Sequence, residues 1–224
     1  MKFYVTFAPS ATRGTNGTIV FTHNAPGSPS QVSVSGNGVA AAFAVAPPSL
    51  SFGPVIVGAA RQDSLLVTNT GSSPLIIATA ASTNVQFSVT PAGGTVPALS
   101  SLKFYVTFSP TSASSQTGSI TFTHNAPASP SVVPVTGSGI APVCSVAPGS
   151  LSFGNVSVGN TKLDSVTVTN TGTAPLAISA AGTSNAQFTV SPTAGTAAPG
   201  AALRFYVTFT PTSTAPQNAS LTFT

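Results

Sequence analysis

Two aspartates, two histidines and one cysteine are the side chains of this 224-residue chain that could serve as general acids or bases, metal ligands or a thiol nucleophile. Acid–base work on a glycosidic bond needs two carboxylates a few ångströms apart. Asp63 and Asp164, however, are 164 − 63 = 101 residues apart, and His23 and His124 are also 124 − 23 = 101 apart. One spacing shared by different residue types marks an internal repeat, so no copy holds more than one acid or one histidine. A zinc site needs three or four convergent His, Cys or acidic ligands, and no copy offers them; no metal and no cofactor are expected. A triad of Asp63, His124 and a serine can be drawn, but no Gly-x-Ser-x-Gly turn marks the nucleophile. Gly36-x-Gly38 and Gly137-x-Gly139 lack the third glycine and the helix of a dinucleotide loop. No catalytic residue is assigned, and the chain is read as a non-enzyme.

The elements that would position these residues repeat with the same offset. Lys2-Phe-Tyr-Val-Thr-Phe7 returns as Lys103-Phe-Tyr-Val-Thr-Phe108 and as Arg204-Phe-Tyr-Val-Thr-Phe209. Leu50-Ser-Phe-Gly53 returns at 151–154, Val67-Thr-Asn-Thr-Gly71 at 168–172 and Phe21-Thr-His-Asn-Ala-Pro26 at 122–127. A period this long exceeds the ~20–50 residues of a solenoid unit and suits a domain with its own core. Residues 42–141 make one complete repeat. Residues 1–40 match the last part of a repeat, and residues 143–224 a repeat without its final strand, as expected of a fragment of a longer protein.

Within the complete repeat the apolar period is 2. Phe104, Val106 and Phe108 fall on one face of a strand, and Lys103, Tyr105 and Thr107 on the other. Leu65 with Val67, and Ile120 with Phe122, alternate in the same way, which signals half-buried strands. Strands are expected near 43–46, 49–53, 64–70, 75–80, 86–90, 102–108, 118–123 and 131–136, with almost no helix. Twenty glycines and twenty prolines supply the reversals between them. Short strands with turns every eight to twelve residues predict an all-β protein of tandem immunoglobulin-like sandwiches. The expected core is Leu50, Phe52, Leu65, Val67, Ile77, Phe87, Phe104, Val106, Phe108, Ile120 and Phe122.

These runs carry a family resemblance over essentially the whole chain. Leu-Ser-Phe-Gly-x-Val-x-Val-Gly, then Val-Thr-Asn-Thr-Gly-x-x-Pro-Leu, then Phe-x-Val-x-Pro, then Phe-Tyr-Val-Thr-Phe-x-Pro-Thr resembles the ASPM/hydin-type (ASH) repeat. It is especially similar to the bacterial tandem form called choice-of-anchor D. The resemblance implies a sandwich related to the major sperm protein fold, with no catalytic residues to carry over. It also implies a place in large secreted or surface-anchored bacterial proteins, or in ciliary and centrosomal scaffolds of eukaryotes.

Composition narrows the role. Only 4% of residues are charged while 42% are hydrophobic, and the polarity comes from Ser, Thr and Asn. This is not the signature of disorder, and it favours an extracellular or cell-surface setting over a cytosolic scaffold. The net charge of +4 is spread along the array, with Lys2, Lys103 and Arg204 at one per repeat. Nucleic-acid binding needs a clustered basic face and is not expected. No apolar run reaches the ~18 residues of a membrane helix, so any signal or anchor is expected outside this segment. Cys144 replaces Phe43 of the preceding repeat and is expected to be a small buried hydrophobe. Arg61 with Asp63, and Lys162 with Asp164, are read as solvated ion pairs worth little. Asn16, Asn155 and Asn218 match the glycosylation sequon, a weak signal where Ser and Thr abound.

Tyr4, Tyr105 and Tyr206 lie on the outward side of one repeated strand and are the candidate contact surface for a glycan or protein, with cross-strand packing as the simpler reading. The expected role is a structural spacer or adhesive array whose partners are neighbouring repeats and a surface protein or glycan. The alternatives are a binding accessory module of a secreted enzyme and an intracellular ciliary-type scaffold. A last expectation concerns the ends: the strand around Val32 and Val34 could complete the third repeat of another chain, head to tail.

Overall fold

A computed structural model describes residues 1–224, and it is all-β, with no helix. Backbone contacts divide the chain into two compact units. One holds Met1–Phe52, Arg61–Phe108 and Thr117–Thr136; the other holds Gly53–Ala60, Ser109–Gln116 and Gly137–Thr224. Every strand pairing stays within residues 14–37, 43–140 or 144–223.

Near the N-terminus, β1 (Gly14–Phe21) and β2 (Ser30–Asn37) form a two-stranded antiparallel hairpin. Residues 1–13 form no strand. The reading that placed Tyr4 on the same strand as Tyr105 and Tyr206 is therefore corrected. Phe3, Val5 and Phe7 are exposed.

The middle repeat runs through β3 (Phe43–Ala46), β4 (Leu50–Ile56), β5 (Arg61–Asn69), β6 (Leu75–Ser82) and β7 (Phe87–Thr90). It continues through β8 (Gly94–Val96), β9 (Ser101–Phe108), β10 (Ser115–His124) and β11 (Ser131–Ile140). One sheet has the order β3-β5-β9-β7 and the other β4-β11-β10-β6-β8. Register places Leu65 opposite Phe104 and Phe87 opposite Phe108, so the apolar alternation of three strands falls on one face. That face meets the other sheet through aromatic rings. Phe104 and Phe122 meet edge to face at 5.0 Å, and Phe87 stacks on Phe108 at 4.6 Å with Phe52 beside them. All eleven expected core residues are buried, and Leu75, Val96, Val133 and Val135 join them. Burying side chains of this size stabilises by roughly 1.5–3 kcal/mol each. Strand β8 escapes the sequence pattern because three residues beginning with glycine show no period.

The third repeat has β12 (Cys144–Ala147), β13 (Lys162–Asn170), β14 (Leu176–Ile178) and β15 (Ala181–Thr183). After these come β16 (Phe188–Ser191), β17 (Gly195–Ala197), β18 (Ala202–Phe209) and β19 (Leu221–Phe223). Its first sheet, β12-β13-β18-β16, repeats the middle one strand for strand. Its second sheet does not: β14 pairs only with β17 and β15 only with β19, and residues 151–157 form no strand. Its core is two adjoining groups, Val166, Val168, Ile178, Ala181 and Phe205, and Phe153, Phe188, Val207 and Phe209.

Candidate interaction surfaces

Four charged groups are tied into the scaffold. The Asp63 carboxylate accepts a hydrogen bond from the Ser64 amide at 2.7 Å, and Asp164 accepts from Ser165 at 2.8 Å. The Arg61 guanidinium donates to the Phe52 carbonyl at 2.7 Å, and Lys162 Nζ to the Phe153 carbonyl at 2.6 Å. The expected ion pairs of Arg61 with Asp63 and of Lys162 with Asp164 are thereby corrected. Each cation reaches across to a neighbouring segment's carbonyl, and each carboxylate turns back to its own backbone.

His124 closes the β10–β11 connection. Its ring stacks on Phe43 at 4.4 Å and nearly parallel, its Nε2 meets Ser131 Oγ at 3.0 Å, and the Ala126 amide donates to Nδ1. Burial disfavours the charged imidazolium and lowers its pKa below the usual 6.5, partly opposed by its hydrogen bond with the Ala126 backbone. His23 has the same bonds to Ser28, Ser30 and Ala25 but remains exposed. The two histidines thus shape a loop. No three of His, Cys, Asp and Glu gather anywhere in the chain.

A buried asparagine at the end of β5, and its counterpart at the end of β13, carry hydrogen bonds that the apolar period does not point to. Asn69 is fully buried; its Oδ1 accepts from the Ala42 and Gly71 amides, and its Nδ2 donates to the carbonyls of Ser73, Val96 and Pro97. Asn170 does the same with Val143, Gly172, Ala174 and Ala197. A Cβ at Gly71 would lie 2.3 Å from the Ala40 carbonyl oxygen, so the turn after the asparagine admits only glycine. The repeated Thr-Asn-Thr-Gly is the sequence signal for this clamp.

Of the candidate contact residues, Tyr105 and Tyr206 sit in matching places. Tyr105 is 43% exposed between Ser64 and Thr90, and Tyr206 is 44% exposed between Ser165 and Ser191. Each lies on an outer sheet face, with Ser and Thr on the adjoining strands beside it. Tyr4 is 85% exposed with Lys2 Nζ 5.6 Å from its ring centre, in a different setting. Cys144 is exposed, which corrects the expectation of a buried thiol. Phe43, its counterpart, is covered by His124 and Phe122.

The third repeat also has an open groove of about 1070 Å³. Phe153, Phe188, Val207 and Phe209 form its apolar floor, with residues 150–157 along one side and 213–221 along the other.

Paired sheets closed by aromatic rings, with a buried asparagine tying together the turn and neighbouring loops, define immunoglobulin-like β-sandwich modules. A family model described as "Abnormal spindle-like microcephaly-assoc'd, ASPM-SPD-2-Hydin" (ASH) matches residues 37–132 and again 140–224. The chain belongs to this ASH family. No match to a curated protein is found. Among solved structures it is similar to a protein of unknown function from Porphyromonas gingivalis W83, with 17% identity, a TM-score of 0.38, and coverage of 75% of this chain and 83% of that one. It is also similar to the ASH / PapD-like domain (PapD-like domain 7) of human CEP192, with 14% identity, a TM-score of 0.37, and coverage of 44% and 84% respectively. A third is the CupB2 chaperone of Pseudomonas aeruginosa, with 16% identity, a TM-score of 0.33, and coverage of 72% and 87%.

Proposed function

We propose that this chain is a non-enzymatic run of immunoglobulin-like modules in a larger secreted or cell-surface protein. There the array spaces other domains and makes weak, repeated contacts. The observation that carries the reading is where the reactive side chains go. Asp63, Arg61, His124 and Asn69 each bond to the scaffold that holds them, and Asp164, Lys162 and Asn170 repeat those bonds. Membership of the ASH family supports a non-catalytic module. The outer faces are rows of Ser and Thr with few charges, which supports an extracellular setting; the bacterial choice-of-anchor D form belongs to the same proposal. No helix is long and apolar enough to cross a membrane.

The test is immunolabelling of intact and permeabilised cells of the source organism with antibody raised against residues 1–224. Labelling of intact cells, or antigen in the culture medium, is expected. Antigen reached only after permeabilisation would overturn the location.

A binding accessory role is favoured by one observation, the matched exposure of Tyr105 and Tyr206. In that reading the two rings, and Tyr4 on a preceding module, stack on sugar rings or on a protein surface. A glycan array probed with the wild type and with the double variant Tyr105→Ala/Tyr206→Ala tests it. Retention by the wild type alone would support it, and equal retention or none would remove it.

A further inference from the structure

The outer face of each four-stranded sheet carries a cation beside its tyrosine. Lys103 and Tyr105 lie two residues apart on β9, and Arg204 and Tyr206 lie likewise on β18. Each pair therefore shares the face opposite the buried Phe104 and Val106, or Phe205 and Val207. Two rises of a strand set the paired side chains roughly 6.6 Å apart along it. Both cations are exposed. Arg61 and Lys162 donate to the Phe52 and Phe153 carbonyls, but Lys103 and Arg204 have no hydrogen-bond or ion-pair partner within the chain. No acid shares their face. Asp63 stands opposite Val106 and Asp164 opposite Val207 in the strand register, and each accepts from the next residue's amide. Short hydroxyl side chains flank each ring, Ser64 and Thr90 in the middle repeat and Ser165 and Ser191 in the third. Leu66 opposite Lys103 becomes Thr167 opposite Arg204, whereas the positive charge and the ring are kept.

We propose that these two faces bind an anionic sugar polymer built of uronic-acid units. The proposal rests on reading Tyr105 and Tyr206 as a contact surface, and it adds the class of ligand. The apolar face of a sugar ring lies on the tyrosine, whose hydroxyl end supplies a polar handle. The carboxylate of that sugar, or of the next one, meets Lys103 or Arg204 in a charge-assisted hydrogen bond, which is stronger than a neutral one. The Ser and Thr hydroxyls both donate to and accept from sugar hydroxyls. A neutral glycan uses the ring and the hydroxyls but leaves the cation idle. A protein partner draws its affinity from anchor side chains seated in pockets, whereas a face of short side chains suits a thin, extended polymer. One cation per face makes each contact weak and sensitive to salt, and a long polymer held at two faces of one chain is held more firmly than at one.

The test is chromatography of the 224-residue chain on beads that carry polygalacturonate, the same polymer with its carboxyls methyl-esterified, or polyglutamate, each eluted with a salt gradient. The wild type is expected to elute latest from polygalacturonate and to pass the ester with little delay. The double variants Lys103→Gln/Arg204→Gln and Tyr105→Ala/Tyr206→Ala should each leave polygalacturonate at several-fold lower salt. Lys103→Arg, and Arg13→Gln at an exposed cation outside both faces, should elute with the wild type. All these changes fall on exposed side chains, and unchanged thermal melts verify folding. Equal, tyrosine-dependent retention on polygalacturonate and its ester would overturn the anionic class while leaving the tyrosine surface standing. Elution unmoved by the tyrosine changes, an equal loss with Arg13→Gln, or equal retention on polyglutamate would mean charge alone and would overturn the proposal. No retention of the wild type on polygalacturonate would overturn it as well.

Discussion

Replacing Asn69 by leucine, a side chain of similar size, removes five hydrogen bonds and changes little else. The amides of Ala42 and Gly71 and the carbonyls of Ser73 and Val96 lose the asparagine at once, while the Pro97 carbonyl keeps the Ser100 amide. A buried polar group left unpaired costs roughly 1–3 kcal/mol. Counting only the Val96 carbonyl and one amide as cut off from water, Asn69→Leu costs about 2–6 kcal/mol. A domain of this size loses about 4–8 °C of melting temperature per kcal/mol, so a drop of about 10 °C or more is expected. Asn69→Asp separates the two sides of the clamp. It keeps the acceptor for the amides but turns an oxygen toward three carbonyls, so its charged form is disfavoured and its folded pKa lies above the unfolded value of about 3.9. The folded state then holds the proton more tightly, and stability falls as pH rises past about 4. Asn69→Leu has no such added dependence. Urea and thermal melts by circular dichroism at pH 4 and pH 7 read both effects, and Asn170→Leu should repeat the loss. Melting of Asn69→Leu within about 2 °C of the wild type would refute the clamp as a main source of stability.

The other expectations are read with ordinary tools. His124 has a lowered pKa, so the unfolded chain binds its proton more readily; stability should be full above pH 6.5 and fall below it, and urea midpoints of His124→Gln should lose that dependence. Phe108→Ala should cost about 3–5 kcal/mol by emptying a closed aromatic cluster. Phe209→Ala should cost less, because Phe209 already borders an open groove, and paired melts of the two variants decide the order. Cys144 should react with a thiol reagent at one equivalent per native chain, without denaturant; a thiol silent until unfolding would contradict its exposure.

What could be read from the chain was what repeats with period 2. Phe104, Val106 and Phe108 announce a strand and its inner face, and the register with Leu65 and Val67 follows once one face must be dry. Asn69 was not legible as a core residue, since its burial depends on partners 27 and 28 residues away at Val96 and Pro97. Arg61 and Asp63 looked like a pair because spacing on one strand was all that could be seen; the Phe52 carbonyl that takes the guanidinium lies on another strand. The exposure of Cys144 is set by what packs against β12, which no local pattern announces.

The repeat also separates local preference from context. Lys103–Phe108 lies within a central strand, while the identical Lys2–Phe7 is in no strand, so the difference lies in the neighbours and not in the six residues. Leu50-Ser-Phe-Gly53 and Leu151-Ser-Phe-Gly154 sharpen the point. Phe52 and Phe153 are both buried, and both carbonyls are held by a cation, yet only the first segment is a strand. Packing and one charged hydrogen bond place the segment, and a ladder with β11 makes it a strand. Supplying the missing ladder should therefore convert residues 151–157 without moving their anchor. Hydrogen exchange read by mass spectrometry, with and without a synthetic peptide of residues 131–140, the β11 sequence, is the measurement. Amides of 151–157 and 216–220 should gain protection on peptide binding, while those of β13 and β18, already paired, should not change. Protection spread evenly over the third repeat would mean general tightening, and would refute the view that strand order there waits on a single neighbour.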